Sequence, residues 1–509
     1  MKTKKTILIF ITDIIPLLVV SFLGIFKFKL FLQILGSETL GLYQLFTQIM
    51  IYVALVDGGL SSAVLYSLYK PNTEGDKKKF NALLAGAYKR FSQIGIAVFG
   101  IAFIVSFFVP FLIKDTPFDY WYIIITFLLF SISNVIGYFF VPYNCLLEVK
   151  EKKHIYNIII QGGQIVLSIT EIIMLLNNVK FEVILIMHSV VKLLAYLVEM
   201  YVCKKEYPDI KLTQKEKDFE FKKHIGSLIF HKINGLVGSN IDSIIISSML
   251  GLEFVAIYST YNYIINMMKN ILGKLSTSMT AIIGNYMVKS KETVYVIYQE
   301  FNSMLFYIAI VICTSLTLAI DGFIEIFYEG EIRTDFLIAV SFVAILFTFI
   351  IKMSTTLFVS AGGLYKETRH CAITDTIINL ILSLTLVNYI GISGVLVATA
   401  VAVFIAEYIL KTRVVHKYIF EKNPKKHFIN NTKFFIIYIA DLIIGYHIIN
   451  LFTINNIFIW FIIFTIFTII NALIILLIFH LLKETTFINR FKYLLKRNDK
   501  NEKSTNTTK

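Results

Sequence analysis

The sequence predicts an all-α polytopic membrane protein with about 14 transmembrane helices, arranged as two parallel-repeat six-helix lobes plus two C-terminal helices. Three observations lead to this prediction. Hydrophobic residues make up 57% of the 509 residues and charged residues only 16%, with a mean hydropathy of +0.72. Charged or turn-forming residues interrupt the apolar sequence at intervals near the ~20 residues that cross a bilayer core. Part of the sequence also repeats itself, which indicates duplication.

The candidate spans follow one another along most of the chain. In order they cover 7–34, 38–68, 86–113, 119–146, 155–176, 181–202, 224–249, 253–287, 296–327, 335–362, 371–389, 393–411, 434–452 and 456–482. The first has the lysine flank of a signal peptide but continues without a small-residue cleavage site, so we interpret it as a retained span.

Two short sequence segments each recur later in the chain at nearly the same offset, which supports the duplication. LGSETLGLY at 35–43 returns as LGLEFVAIY at 250–258, and KEKKH at 150–154 returns as KETRH at 366–370. Six spans separate the copies, which therefore share one orientation. We expect four parts: an N-terminal six-helix lobe over 1–223, a C-terminal six-helix lobe over 224–412, two additional helices over 413–482 and a basic cytoplasmic tail over 483–509.

The net charge of +14 reflects membrane topology. Most of the 48 Lys and Arg lie in the termini or in alternate connections, which the positive-inside rule assigns to the cytoplasm. We therefore expect both termini in the cytoplasm, a location in the bacterial cytoplasmic (inner) membrane, and no nucleic-acid partner. The four cysteines show no CxxC pair and no His at ligand spacing, so we expect no metal site and no cofactor.

The predicted span at 253–287 carries a polar face. Tyr258, Asn262, Asn266, Lys269 and Asn270 fall within about 120° of one another at 100° per residue. A lysine facing lipid at the bilayer centre costs at least about 2.5 kcal/mol, so this face should meet protein or a water-filled cavity. Two interpretations remain open: the face contacts an anionic or sugar-bearing substrate, or it hydrogen-bonds neighbouring helices.

Other intramembrane charges are candidates for ion pairs or substrate contacts. Asp57 lies about one turn from the position equivalent to Lys269 in the other copy, so the two could form a gate pair. Lys192 and Lys352 lie deep in their spans and are candidates for substrate or counter-ion contacts. Asp242 is a candidate cation ligand, with helix–helix hydrogen bonding as the alternative. Further buried acids, Glu171 and Glu407 among them, could neutralise the lysines, while at least one of Lys27 and Lys29 should reach the headgroups.

The sequence carries no motif typical of an enzyme. It has no G-x-x-x-x-G-K-[ST] phosphate loop, no H-E-x-x-H and no G-x-S-x-G. The predicted external connections are short, which leaves little room for a catalytic loop. We therefore expect a protein that is not an enzyme.

The hairpin motif LG-x-E-x-x-G-x-Y at 35–43, the DGGL at 57–60, the duplication and the basic connections after the fourth and tenth spans together resemble a known group. They resemble the Wzx-like polysaccharide (O-antigen or capsule repeat-unit) flippases of the multidrug/oligosaccharidyl-lipid/polysaccharide (MOP) exporter superfamily. The resemblance implies a MATE/MOP-like fold, a central cavity between two lobes and alternating access. It also implies an undecaprenyl-pyrophosphate-linked glycan as substrate, with Lys269 as the first candidate for headgroup contact.

Such proteins move oligosaccharide repeat units to the outer leaflet for capsule, O-antigen or exopolysaccharide assembly. The resemblance therefore also suggests the lipid bilayer, a polysaccharide polymerase and chain-length machinery as partners. Three alternatives remain: a cation-coupled multidrug exporter of the same superfamily, a lipid II flippase and, more remotely, a membrane-embedded glycan-modifying enzyme.

Overall fold

The structure, a computed structural model, describes residues 2–57, 60–210, 212, 216–221, 241–287, 290–332, 334–449, 451–452 and 456–486. Every regular element within these ranges is helical. Ten of the described helices are long and apolar enough to cross a membrane. The protein is therefore an all-α, multi-pass membrane protein, as the sequence predicts.

The chain divides into two compact units, Met1–Thr260 and Tyr261–Lys509. The first unit contains α1 (Lys2–Val53), α2 (Leu60–Glu74), α3 (Lys77–Ser106), α4 (Tyr120–Val135), α5 (Val141–Val149), α6 (Lys153–Leu176), α7 (Phe181–Glu206), α8 (Asp242–Met249) and the beginning of α9 (Leu252–Tyr286). Short 3₁₀ turns lie at Ala54–Asp57, Val109–Leu112 and Ile136–Phe139.

The second unit contains the rest of α9, followed by α10 (Lys291–Phe327), α11 (Phe336–Gly362), α12 (Arg369–Val403), α13 (Lys411–Val415), α14 (Lys425–Ile449) and α15 (Ile457–Leu481). Two π-helical segments, Phe404–Leu410 and His416–Phe420, flank α13. The lobe boundary that we predicted at residue 223, and most of the predicted span 224–249, lie outside the described residues.

Two long helices each contain one predicted span and the first part of the next: α1 covers 7–34 and the start of 38–68, and α12 covers 371–389 and the start of 393–411. α1 breaks at Gly36, whose φ of 84° lies in the region that favours glycine, and α12 breaks at Ile390 and Gly391. Since these breaks coincide with the predicted ends of spans, the ten helices account for most of the predicted crossings. Gly251, at the position equivalent to Gly36 in the second copy, also has a positive φ, 109°.

Two predicted spans are less regular than expected. Span 38–68 is interrupted by the 3₁₀ turn at Ala54–Asp57 before α2 begins. Span 119–146 is divided into α4, a 3₁₀ turn and α5. Pro142, near the start of α5, explains the second interruption, because proline has no backbone N–H and its ring clashes with the carbonyl four residues earlier.

Each unit has an apolar interior. In the first unit α1 packs along α6, and α4 packs on α7, around fully buried rings of Phe31, Phe46 and Phe127. In the second unit α10 packs against α11, α14 and α15 around Tyr298 and Phe306. Large apolar side chains are exposed along α14 and α15, as expected of helices that face lipid.

Candidate functional site

A buried charged cluster joins three helices of the first unit. Lys27 of α1 donates a hydrogen bond from Nζ to Oε2 of Glu171 on α6, at 3.0 Å. His188 of α7 contacts the other carboxylate oxygen of Glu171 through Nε2. The Glu171 side chain is only 2% exposed, so its charge is shielded from bulk solvent. Because water cannot reach them, both carboxylate oxygens rely on Lys27 and His188 as hydrogen-bond partners.

The local folding of the chain brings the members of this cluster together. α6 and α7 form an antiparallel hairpin, and Glu171 and His188 stand eight residues before Val179 and eight residues after Lys180, so they face each other across it. The break at Gly36 lets the second half of α1 bring Tyr43 back to Lys27, whose Nζ lies 5.9 Å from the Tyr43 ring centroid.

Lys192 adds a second lysine to the cluster. It lies on α7 one turn after His188, within electrostatic range of both Glu171 and Lys27. Among the residues that the structure describes, no hydrogen bond or ion pair engages its ammonium group. Two lysines therefore lie within electrostatic range of one carboxylate, and with both ammonium groups charged the cluster has an excess of positive charge. In a low-dielectric interior such an arrangement favours an anionic ligand.

The polar face that we predicted on α9 is present, but its members differ in exposure. Asn266 and Asn270 are exposed, Asn262 and Lys269 are half-buried, and Lys269 Nζ lies 6.0 Å from the Phe349 ring centroid. These four residues belong to the second unit. Their contact with a substrate remains a prediction.

Tyr258, the first member of that predicted face, is buried in the first unit. It is 5% exposed and donates a hydrogen bond to Oδ2 of Asp242 at 3.3 Å. Asp242, which we predicted as a cation ligand or helix–helix contact, is itself 3% exposed. In this conformation the pair ties α8 to α9.

Lys352, the other predicted substrate or counter-ion contact, belongs to an ion-pair cluster in the second unit. Its Nζ lies 3.7 Å from Oε2 of Glu407, which also accepts a hydrogen bond from Lys411. The carboxylate therefore has two cationic partners. Asp57 lines a cavity of the first unit, and its predicted pairing with Lys269 stays a prediction.

Sequence reasoning placed Lys27 and Glu171 in the membrane but did not pair them. We predicted that at least one of Lys27 and Lys29 reaches the headgroups; the Lys27 side chain is 17% exposed and lies against Glu171. The sequence did contain a signal for the contact between Glu171 and His188, because the two residues lie at equal distances on either side of a predicted tight turn. Pairing Lys27 with them requires the packing of α1 on α6, for which the sequence contains no comparable signal.

No group of three or more His, Cys, Asp or Glu side chains that could hold a metal ion occurs in the described part of the chain. The cluster of Lys27, Glu171, His188 and Lys192 offers two ammonium groups and an imidazole beside one carboxylate, and ammonium groups bind anions.

Solved structures share this architecture. A lipid II flippase MurJ in an inward closed conformation aligns with a TM-score of 0.70 and 17% identity, over 92% of this chain and 98% of its own. An inward-facing MATE multidrug resistance transporter of the MOP superfamily aligns with a TM-score of 0.61 and 16% identity, over 78% and 94%. The MATE multidrug transporter DinF-BH gives 0.57 and 16%, over 81% and 95%.

No family model matches the sequence. No curated protein matches it either. The structural comparisons show that the chain has the fold of the MurJ flippase and MATE transporter structures. At these identities the likeness establishes the fold, and the substrate has to be inferred from the chain's own residues.

Proposed function

We propose that the protein is a flippase that moves undecaprenyl-pyrophosphate-linked oligosaccharide repeat units from the cytoplasmic to the outer leaflet, for assembly of a surface polysaccharide. The observation that carries this proposal is the buried cationic cluster of Lys27, Lys192, Glu171 and His188. In this proposal the two lobes, 1–223 and 224–412, alternate access to the two membrane faces, and both termini lie in the cytoplasm.

The chemistry of such a substrate matches the cluster. A pyrophosphate carries concentrated negative charge, and moving it through a low-dielectric environment requires fixed cations and hydrogen-bond donors. Lys192 can supply an ammonium group without first breaking an ion pair. Lys27 is already held by Glu171, which orients it and limits the net charge of the cluster. The lipid tail can stay in the bilayer while the headgroup crosses.

The glycan part of the substrate needs hydroxyl-compatible side chains. The polar face of α9 offers Asn262, Asn266 and Asn270 next to Lys269, and we propose it as a second contact region. Asparagine amides both donate and accept hydrogen bonds, which suits sugar hydroxyls.

A lipid II flippase is the second candidate. It is favoured by the TM-score of 0.70 and the 92% coverage in the comparison with MurJ. Lipid II also presents a pyrophosphate on a polyprenyl chain, so the cationic cluster suits both substrates. The two functions differ in the glycan, and an experiment has to separate them at that level.

Depletion of the protein in its own host, with lipid-linked glycans profiled by leaflet, separates the candidates. The proposal expects a polyprenyl-pyrophosphate repeat unit to accumulate on the cytoplasmic leaflet while surface polysaccharide is lost. Accumulation of lipid II with a cell-wall defect would establish the second candidate instead. Unchanged lipid-linked pools together with new sensitivity to cationic drugs would contradict both and favour a multidrug exporter.

A charge substitution tests the cationic cluster directly. Lys192→Met should lower the flipping rate of a fluorescent polyprenyl-pyrophosphate oligosaccharide in proteoliposomes about ten-fold or more, because a hydrogen bond to a charged group contributes about 1.5–3 kcal/mol. Lys204→Met is the matched control, since it removes the same charge from an exposed position on the same helix. Equal rates for wild type and Lys192→Met would refute a role for Lys192 in transport.

A further inference from the structure

The second unit contains a cavity at one end of its helices. Its volume is about 240 Å³, and it is bounded by the beginning of α10, the beginning of α14 and the segment that follows α15. The neighbouring connections, 288–292 and 411–433, are ones that the sequence predicts on the cytoplasmic side. We therefore expect the cavity to open to the cytoplasm.

Uncharged polar side chains dominate the lining of this cavity. Four of them carry amides and two carry hydroxyls: Gln299, Asn302, Asn430, Asn431, Ser303 and Thr486. Lys433 is the one lysine among the described residues that line it, and it forms an ion pair with Glu484. Ser303 donates a hydrogen bond to the other carboxylate oxygen of Glu484 at 2.6 Å, and Glu300 adds a second carboxyl group. An anionic ligand would have to compete with Glu484 for the lysine, so the lining does not favour a phosphate or a carboxylate.

A network of buried side chains forms one wall of the cavity. Asn302 Nδ2 donates a hydrogen bond to Asn431 Oδ1 at 2.9 Å, and Asn431 Nδ2 donates to the Tyr408 hydroxyl at 2.7 Å. Asn431 Nδ2 also lies 3.0 Å from Nε2 of His427. This ring nitrogen therefore accepts a hydrogen bond, and the neutral imidazole carries its proton on Nδ1.

The network leaves one acceptor and one donor unused at this wall. Asn302 is 4% exposed, and its Oδ1 is a buried acceptor that has no partner among the described residues. His427 is 3% exposed, and its Nδ1 makes no hydrogen bond within the described part of the chain. Buried polar groups are costly without partners. A ligand that can both donate and accept hydrogen bonds would remove the cost at both residues.

Hydroxyl groups have this combination of properties. Each hydroxyl donates one hydrogen bond and accepts others, so neighbouring hydroxyls of one molecule can donate to Asn302 Oδ1 and accept from His427 Nδ1. The amides of Gln299 and Asn430, which also line the cavity, can donate and accept in the same way. A metal cation could use the acceptor alone, and an anion could use the donor alone.

We propose that this cavity is a binding site for a small, free sugar or polyol of the cytoplasm, whose hydroxyl groups bind Asn302 and His427. Such a ligand would connect α10 with α14 and with the segment that follows α15. The site is separate from the cluster of Lys27 and Glu171 and from the polar face of α9. Its occupancy therefore does not depend on the proposed transport function.

Saturation-transfer NMR on the full-length protein tests for binding. The protein is reconstituted into phosphatidylcholine nanodiscs, so that no sugar-bearing detergent competes, and the probes are methyl α-D-glucopyranoside and myo-inositol. We expect saturation to pass from the protein to at least one of the probes. Absence of transfer to both would overturn the proposal.

A substitution at the mouth of the cavity tests where the probe binds. Asn430 is exposed and lines the cavity, so Asn430→Trp should fill the entrance, preserve the fold and abolish binding. Ile429→Trp is the matched control, because Ile429 is the preceding residue, is 72% exposed and is not part of the lining. Equal affinities of wild type and Asn430→Trp would exclude this cavity.

A second substitution tests the unused acceptor. Asn302→Leu should weaken binding about ten-fold, the effect of losing one hydrogen bond. Asn388→Leu makes the same change at an exposed position of α12 and should leave the affinity unchanged. Equal losses in the two variants would contradict a role for Asn302.

Photoaffinity labelling gives a readout that does not require any variant to fold. With a diazirine derivative of the glucoside, mass spectrometry should locate adducts within 296–303 or 427–434. Adducts confined to 258–270 would overturn this proposal and would place the sugar on the polar face of α9, which we propose as a contact region for the transported glycan. Failure of the transport function would leave adducts at the cavity unchanged, so the two proposals can fail separately.

Discussion

Lys27 and Glu171 form a buried ion pair whose two halves depend on each other. The pair lies between α1 and α6, with side-chain exposures of 17% and 2%. A buried pair adds little net stability compared with apolar side chains, but removal of one partner leaves an uncompensated charge. Replacement of either residue alone should therefore destabilise the protein much more than replacement of both residues together.

Lys27→Met should lower the free energy of unfolding by about 3–5 kcal/mol, because Glu171 would lose its lysine partner. Lys27→Met combined with Glu171→Gln should recover most of that loss. Thermal denaturation of the purified protein, followed by size-exclusion chromatography, measures both effects. Lys70→Met, which removes an exposed lysine 3.8 Å from Glu74, should cost about 0.5 kcal/mol or less. A double variant as unstable as Lys27→Met would contradict this account.

Gly41 allows two helices to approach closely at the repeated motif. A Cβ atom at Gly41 of α1 would lie 2.1 Å from the backbone oxygen of Leu252, at the start of α9. The first copy of the motif thus packs directly on the second copy, LGLEFVAIY, within the first unit. Since the atom that it would meet belongs to the backbone, a rotamer change cannot relieve the clash.

Gly41→Ala should therefore destabilise the protein by about 1–3 kcal/mol, the usual cost of overpacking. Gly100→Ala is a control of opposite sign: Gly100 is exposed on α3, and apart from its own stretch of helix no atom of the described residues lies within 4 Å of its Cβ position. This substitution should stabilise the helix by about 0.5–1 kcal/mol. Melting temperatures of the two variants that move in the same direction would argue against close packing at Gly41.

At the scale of the helices, the sequence was sufficient to predict the class of fold and most crossings, because the apolar composition and the breaks at Gly36 and Gly391 are local properties. The interruption at Pro142 has a local cause as well. The contacts of the site are different. Lys27 meets Glu171 across 144 positions, and such a contact follows from helix packing, which apolar periodicity does not specify.

Within each unit, ion pairs and hydrogen bonds join the segments that connect the helices. The joined segments are ones that the predicted topology places on the same side of the membrane. Connections that we assigned to the cytoplasm are joined by ion pairs: Lys77 with Asp209 at 3.0 Å, Lys152 with Glu206 at 2.5 Å, and Lys291 with Glu421 at 2.6 Å. The hydrogen bond from Lys152 to Glu206 raises the pKa of that lysine above its usual value. On the opposite side, the Lys114 amide donates to the Ser247 carbonyl at 3.0 Å.

These contacts join connections within each unit, and charge predicts which membrane face each connection lies on. The basic connections should face the cytoplasm under the positive-inside rule. The four native cysteines are buried, so single introduced cysteines can be labelled with an impermeant maleimide over a low background. The outward set is Asp119→Cys, Lys180→Cys and Glu331→Cys, and the inward set is Glu74→Cys, Lys204→Cys and Lys366→Cys.

The outward set should react in intact cells, whereas the inward set should react only after the membrane is permeabilised. All six positions are exposed in the structure, so failure to react reports the membrane side and does not report burial. An inverted pattern would reverse the orientation of the whole protein. Alternating access would then begin from the other leaflet, and the direction of transport that we propose would have to be abandoned. A mixed pattern within one set would instead mean that the number of crossings between the discordant positions is wrong by one.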